Sequence, residues 1–164
     1  MAGAKCLEGK VIVVTGAGRG IGRDIALLAG REGGKVVVND LGGGPAGEGN
    51  ADLGPAQSVV EEIRTGGGQA VASADSVAEP AGAERIIRTA LDAFGRIDSV
   101  VNNAGILRDR IFHRMSHVDW EMVTKVHLMG SFYMARAAAT HFREQESGSL
   151  IHFTSTSGLI GNFG

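Results

Sequence analysis

Apolar positions in this chain follow two alternating rhythms. Continuous β-branched runs stand at Val11-Ile12-Val13-Val14, Val36-Val37-Val38 and Ser99-Val100-Val101, with weaker ones at 69–72 and 150–153. Between them, apolar residues recur at helical spacing over about 21–31, 51–65, 79–94 and 118–145. A strand buried on both faces reads as an unbroken apolar run, whereas a surface helix shows a stripe at every third or fourth position. The alternation predicts five parallel strands and four helices. Right-handed crossovers then give a doubly wound α/β sheet of Rossmann type, helices on both faces, in three layers. No internal repeat or second domain is visible, so residues 1–164 are expected to form one domain.

Composition narrows the picture little. Hydrophobic residues at 43% and charged residues at 21% are ordinary for a globular protein, and a formal net charge of -2 gives no attraction for nucleic acid or an anionic membrane. The first ten residues lack the apolar core of a secretory signal, and no apolar stretch is long enough to span a bilayer. The single cysteine, Cys6, has no internal disulfide partner and reads as an inert thiol in a reducing, cytoplasmic setting. His113, His117, His141 and His152 show no metal-ligand spacing, so no metal is expected.

The 26 glycines matter more, because they gather where strands end. Thr15-Gly16-Ala17-Gly18-Arg19-Gly20-Ile21-Gly22 leaves the first strand and opens a helix. Glycines there permit a tight turn and let backbone N–H groups approach a pyrophosphate, to which the helix N-terminus adds partial positive charge. Gly16, Arg19, Gly20, Ile21 and Gly22 are therefore candidate cofactor contacts. Asp40 closes the second strand, where a carboxylate accepts hydrogen bonds from an adenosine ribose and repels a 2′-phosphate. This favours NAD over NADP, although Arg19 could reach a phosphate and Asp40 could be a solvated turn residue. The glycine-rich run 41–50 reads as a flexible connection, mobile without cofactor, with no chemistry assigned.

Two later strand ends add to the constellation. Asp75-Ser76-Val77 follows the third strand, and Asp75 or Ser76 serves equally as N-cap of a helix starting near Ala78. Asn102-Asn103-Ala104-Gly105 follows the fourth strand, at the carboxyl edge where open α/β sheets bind ligands. Asn103 can bond backbone groups there, while small Ala104 and Gly105 let a ribose pass; a plain turn uses the same residues.

Taken with Ser155, these motifs resemble the short-chain dehydrogenases/reductases in order and spacing along the whole chain. Within that family the resemblance is nearest to the (3R)-hydroxyacyl-CoA dehydrogenase units of peroxisomal multifunctional enzymes of type 2 and their bacterial relatives. It is carried by Val38-Asn39-Asp40-Leu41-Gly42-Gly43, Asn102 to Asp109, Val126-His127-Leu128 and Gly161-Asn162-Phe163-Gly164. The resemblance places Asp75 by the adenine, with Ser76 and Val77 as neighbouring cofactor contacts. It implies hydride exchange between NAD and a secondary alcohol or its ketone, a 3-hydroxyacyl-CoA being the substrate class it suggests. Ser155 would bond the substrate oxygen. His127 stands where the family often has an Asn of a proton relay; it is equally read as a helix residue without a catalytic part.

The family's Tyr-x-x-x-Lys pair would fall beyond Gly164. The only tyrosine, Tyr133, has Ala137 four residues later and reads as a packing residue. The expectation is thus a Rossmann-type fold truncated after its fifth strand, with that strand an open edge in the order 3-2-1-4-5. On this reading the chain alone is inactive, or is a nucleotide-binding or interaction fragment. The resemblance also implies homo-oligomers for a full-length chain, and a peroxisomal location if the source is eukaryotic. Trp120, Val123 and Leu128 are expected to anchor a helix to the sheet or to a partner. Arg108 and Arg110 read as solvated loop residues that could attract a substrate phosphate or carboxylate.

Overall fold

The computed structural model describes residues 5–162; Phe163 and Gly164, part of the narrower resemblance, lie outside them. The strands are β1 (Val11–Thr15), β2 (Lys35–Asn39), β3 (Gln69–Ser73), β4 (Ser99–Asn102) and β5 (Ser149–His152). All pair in parallel in the order β3-β2-β1-β4-β5. Helices α1 (Gly20–Arg31), α2 (Gly54–Thr65) and α3 (Pro80–Phe94) connect the first four strands. Thr15 pairs with Asn39, and Asn39 with Ser73, so three strands finish level at one edge.

The alternation of side chains along β1 builds two cores. Ile12 and Val14 face one way, onto Ala26 and Leu27 of α1 and Val59, Val60 and Ile63 of α2. Val11 and Val13 face the other way, onto Ile86, Ile87 and Ala90 of α3 and onto Met134 and Ala138. Each fully buried valine contributes about 1.5–3 kcal/mol relative to exposure. Continuous apolar strands are stable here because both faces are covered.

A buried carboxylate fastens the opposite edge. Asp98 accepts from the Val11 N–H at 2.9 Å, from Arg96 Nε at 2.9 Å and Nη2 at 2.6 Å, and from Lys10 Nζ at 3.3 Å. Burial pushes its carboxyl pKa up, but the Arg96, Val11 and Lys10 hydrogen bonds outweigh that and hold it below the ordinary value.

The helical region predicted at 118–145 is interrupted. It consists of α4 (His117–Thr124), a π-helical turn at Lys125–Met129, and α5 (Gly130–Gln145). Ser116 caps α4, its Oγ accepting from the Asp119 N–H at 3.0 Å. A π-turn inserts a residue into the helical repeat and re-aims the side chains that follow, which a constant 3.6 period does not show. A 3-10 turn at Phe112–Arg114 and a short helix α6 (Ser157–Ile160) were also outside the predicted four helices. The sheet anchor expected of Trp120 and Leu128 is not found. No residue of α4 is buried, and Trp120 and Leu128 are 61% and 65% exposed. β5 is an edge strand, and its Leu150 and Ile151, on opposite faces of the sheet, are 41% and 47% exposed.

Candidate functional site

A cleft of about 430 Å³ opens at the carboxyl ends of the strands, where the chain crosses from one side of β1 to the other. It is lined by Gly16, Arg19, Gly20 and Ile21 from the β1–α1 loop, Asp40 after β2, Asp75, Ser76 and Val77 after β3, and Asn103, Ala104 and Gly105 after β4. The structure thus gathers eleven of the twelve sequence-predicted cofactor residues around one space.

Gly22 is the exception, and its place shows a different use. A Cβ there would lie 2.2 Å from the Gly16 carbonyl oxygen and 2.4 Å from Asn103 Nδ2. The residue lets α1 close against its own loop and does not line the cleft. Asn103 holds that junction, with Nδ2 donating to the carbonyls of Thr15 and Gly16, both at 3.0 Å. Thr15 Oγ1 answers by accepting from the N–H groups of Asn103 and Ala104 at 3.1 Å.

The opening of α1 is poised for an anion. Arg19 occupies its N-cap without a side-chain cap, and its first turn carries no acidic residue. The first N–H groups of a helix need acceptors, and here no side chain of the cap supplies one. Asp40 stands beside this turn. Its Oδ2 accepts from the Gly18 N–H and its Oδ1 from the Gly42 N–H, both at 2.8 Å. Each carboxylate oxygen keeps a further acceptor site. Arg19 is turned aside, donating to the Gly43 and Gly42 carbonyls at 3.2 and 3.5 Å.

The expected helix cap after β3 is corrected. α3 begins at Pro80 with Glu79 at its N-cap, because proline fits the first helical position where no N–H is needed. Ser76 Oγ instead accepts from the Ala78 N–H at 3.2 Å, and Asp75 Oδ1 accepts from Arg85 Nε at 2.6 Å. Gly82, which sequence reasoning passed over, permits α3 to approach this segment: a Cβ there would meet the Ser76 carbonyl oxygen at 2.1 Å.

His127 and Ser155 lie outside the lining. The π-turn brings His127 Nε2 to 3.0 Å from the Ile106 carbonyl oxygen and 3.1 Å from the Ile106 N–H, against Gly105. One nitrogen serves as donor to the first or acceptor from the second, according to tautomer. Ser155, after β5, is exposed and its Oγ accepts from the Ser157 N–H at 3.1 Å. Tyr133 is partly buried in the α3–α5 core with its ring 5.7 Å from Phe132, as a packing residue.

Sequence reasoning missed several lining residues. Asn39 donates to the carbonyls of Ser73 and Asp75 at 3.3 and 2.9 Å, tying two strand ends together. Ile106, Met122 and Val126 supply an apolar wall. Gly43, Gly44, Pro45 and Gly47 form another side, although their composition signalled only a flexible connection. Among the described residues no acidic, histidine or cysteine cluster could hold a metal, and no helix is long and apolar enough to cross a membrane.

A doubly wound parallel sheet with a glycine turn, an uncapped helix start and a strand-end carboxylate around one cleft defines a Rossmann-type α/β fold. The profile of the short chain dehydrogenase family matches residues 10–164. A short-chain type dehydrogenase/reductase of Mycobacterium tuberculosis is 57% identical over 158 residues, covering 96% of this chain and 55% of that protein. Mouse peroxisomal multifunctional enzyme type 2 is 52% identical over 164 residues, all of this chain and 22% of that enzyme. The crystal structure of a short chain dehydrogenase from Mycobacterium avium superposes with a TM-score of 0.86 at 43% identity, covering 96% of this chain and 57% of that one. The chain belongs to the short-chain dehydrogenase/reductase family. It spans about half the length of the mycobacterial relatives, and less of the multifunctional enzyme.

Proposed function

We propose that the cleft binds NAD as part of an oxidoreductase that interconverts a 3-hydroxyacyl-CoA, or a similar secondary alcohol, and its ketone. The observation that carries the cofactor reading is Asp40, fixed by two backbone N–H groups at the cleft edge with acceptor capacity to spare for a ribose diol. A 2′-phosphate in its place would meet an anion, and Arg19, the cation that could offset this, is engaged by loop carbonyls. The α1 N-terminus and the Gly16–Gly20 backbone would hold the pyrophosphate. When bound, the nicotinamide supplies the hydride acceptor or donor. Asn103, Ala104 and Gly105 would flank the nicotinamide ribose, Ser155 would bond the substrate oxygen, and His127 would fix the loop at Ile106. The acyl-CoA class rests on the resemblance to the multifunctional enzyme, and the lone Cys6 fits a cytoplasmic or peroxisomal compartment.

A second reading is a nucleotide-binding module without turnover. It is supported by Tyr133, which packs in the α3–α5 core and lies away from the cleft lining. Titration of the chain with NAD and NADP, followed by assay with a 3-hydroxyacyl-CoA, tests both readings. NAD should bind more tightly than NADP, and Asp40→Ala should weaken NAD by about tenfold or more, the loss of one or two charge-assisted hydrogen bonds. Unchanged affinity in the variant would refute the ribose assignment. Turnover by the chain alone would remove the second reading.

A further inference from the structure

The segment between β2 and α2 crosses one side of the cleft as a strap, and it is tied down near β2 and at its tip. Near β2, Asp40 and Arg19 hold Gly42 and Gly43. At its tip, where Gly44 and Gly47 close a turn on each other (Gly47 N–H to Gly44 O, 2.9 Å), the strap meets the segment after β4. The Leu107 N–H donates to the Pro45 carbonyl at 3.0 Å, and Arg108 Nε donates to the Ala46 carbonyl at 2.8 Å.

Arg108 has a second hold. Its Nη1 donates to Asp119 Oδ1 on α4 at 3.2 Å, and both side chains are mostly buried. Asp119 is itself fixed, its Oδ2 accepting from Ser116 Oγ at 2.7 Å. That Ser116 hydrogen bond, with Arg108, keeps the Asp119 carboxyl below its ordinary pKa, so the anion persists across the neutral range. Ile106 fills the remaining gap: a Cβ on Gly47 would lie 3.2 Å from Ile106 Cδ1. The expectation that Arg108 is a solvated loop arginine is therefore corrected. The guanidinium is a rigid fork joining a backbone carbonyl of the strap to a carboxylate of α4.

The geometry points to Arg108 as a latch that controls dinucleotide exchange. Resting on the NAD reading of the cleft, Arg108 acts as a positioning residue: it holds the lip formed by Gly43–Gly47 against the lip formed by Gly105–Leu107. A dinucleotide lying between these lips leaves only when the strap parts from the second one. Breaking the latch then speeds release while the β1–α1 loop and Asp40 stay in place.

The test pairs two readouts. Hydrogen–deuterium exchange of the strap (residues 41–52) and of the 105–108 segment is followed in the chain without dinucleotide, for wild type, Arg108→Ala, Arg108→Lys and Asp119→Asn. Release of NADH is then followed by its fluorescence in a displacement experiment. Expected are faster strap exchange and a release rate raised by about tenfold in Arg108→Ala, equivalent to about 1.4 kcal/mol. Lysine, which has the charge but not the fork, should recover only part of the effect. If Arg108→Ala does not fold, Asp119→Asn leaves the guanidinium present and should show the same paired changes in smaller degree. Unchanged strap exchange overturns the latch, as does faster exchange with unchanged release. Failure of wild type to bind NADH overturns the NAD reading and the exchange role together, and the strap data separate that failure from the other two.

Discussion

Asn103 joins two loops of the site, and its capacity to bond backbone groups was legible in the sequence while the loop it would bond was not. Its amide bonds the carbonyls of Thr15 and Gly16, so the nucleotide loop and the turn after β4 are fixed by one side chain. Gly22 makes room for it. Alanine there raises helix propensity by up to about 1 kcal/mol, but its Cβ would enter the space of the Gly16 carbonyl and the Asn103 amide. The first is backbone and the second is held by two hydrogen bonds, so an overpacking cost of about 1–3 kcal/mol outweighs the propensity gain. Gly22→Ala should lower the denaturation midpoint and weaken NAD binding together. A variant as stable and as tightly binding as wild type would show that the loop has slack.

At the scale of elements, the strands and first three helices were legible because burial on both faces leaves a plain signal. Val11 to Val14 cannot sit anywhere but between two apolar layers. The four loop motifs were legible too, since tight turns and close approaches demand glycine and asparagine wherever they occur. What escaped was set by tertiary geometry. The π-turn at Lys125–Met129 depends on fitting His127 against Gly105 and Ile106, which no local period encodes. The role of the strap depends on Arg108, more than fifty residues further along the chain. The same region leaves Trp120, Leu128 and Phe132 at 61%, 65% and 57% exposure on α4, the π-turn and α5. The homo-oligomer that the family resemblance implies would cover such groups, and a second copy of this chain is therefore the partner proposed for them. Sedimentation velocity should show concentration-dependent dimers, reduced when Trp120 and Phe132 are both replaced by serine. A monomer at all concentrations would reject the proposal.

Across the whole molecule, the sheet is closed at its amino edge by charge and at its carboxyl edge by neutral amides. Asp98 is the charged closure. Its folded pKa is depressed, so its contribution is complete above the ordinary aspartate value of about 3.9 and is lost as pH falls through the folded value. Wild type should therefore lose stability on acidification below about pH 4 more steeply than Asp98→Asn. Near neutral pH the variant should be less stable by about 1–2 kcal/mol, a moderate figure because Arg96 and Lys10 are half exposed. Urea titrations at neutral and acid pH check both statements, and parallel pH profiles for the two proteins would contradict the first.

The neutral closure has a kinetic consequence. Asn103 bonds Thr15 across 88 residues of chain, and β4 must dock on β1 before that contact can exist. Contacts so distant in sequence are costly to close and form late. The glycine turn is thus encoded among the first 22 residues but is completed only when the fourth strand arrives. A nascent chain shorter than about a hundred residues would carry the whole fingerprint and no assembled site, so dinucleotide capture during refolding would time the arrival of β4.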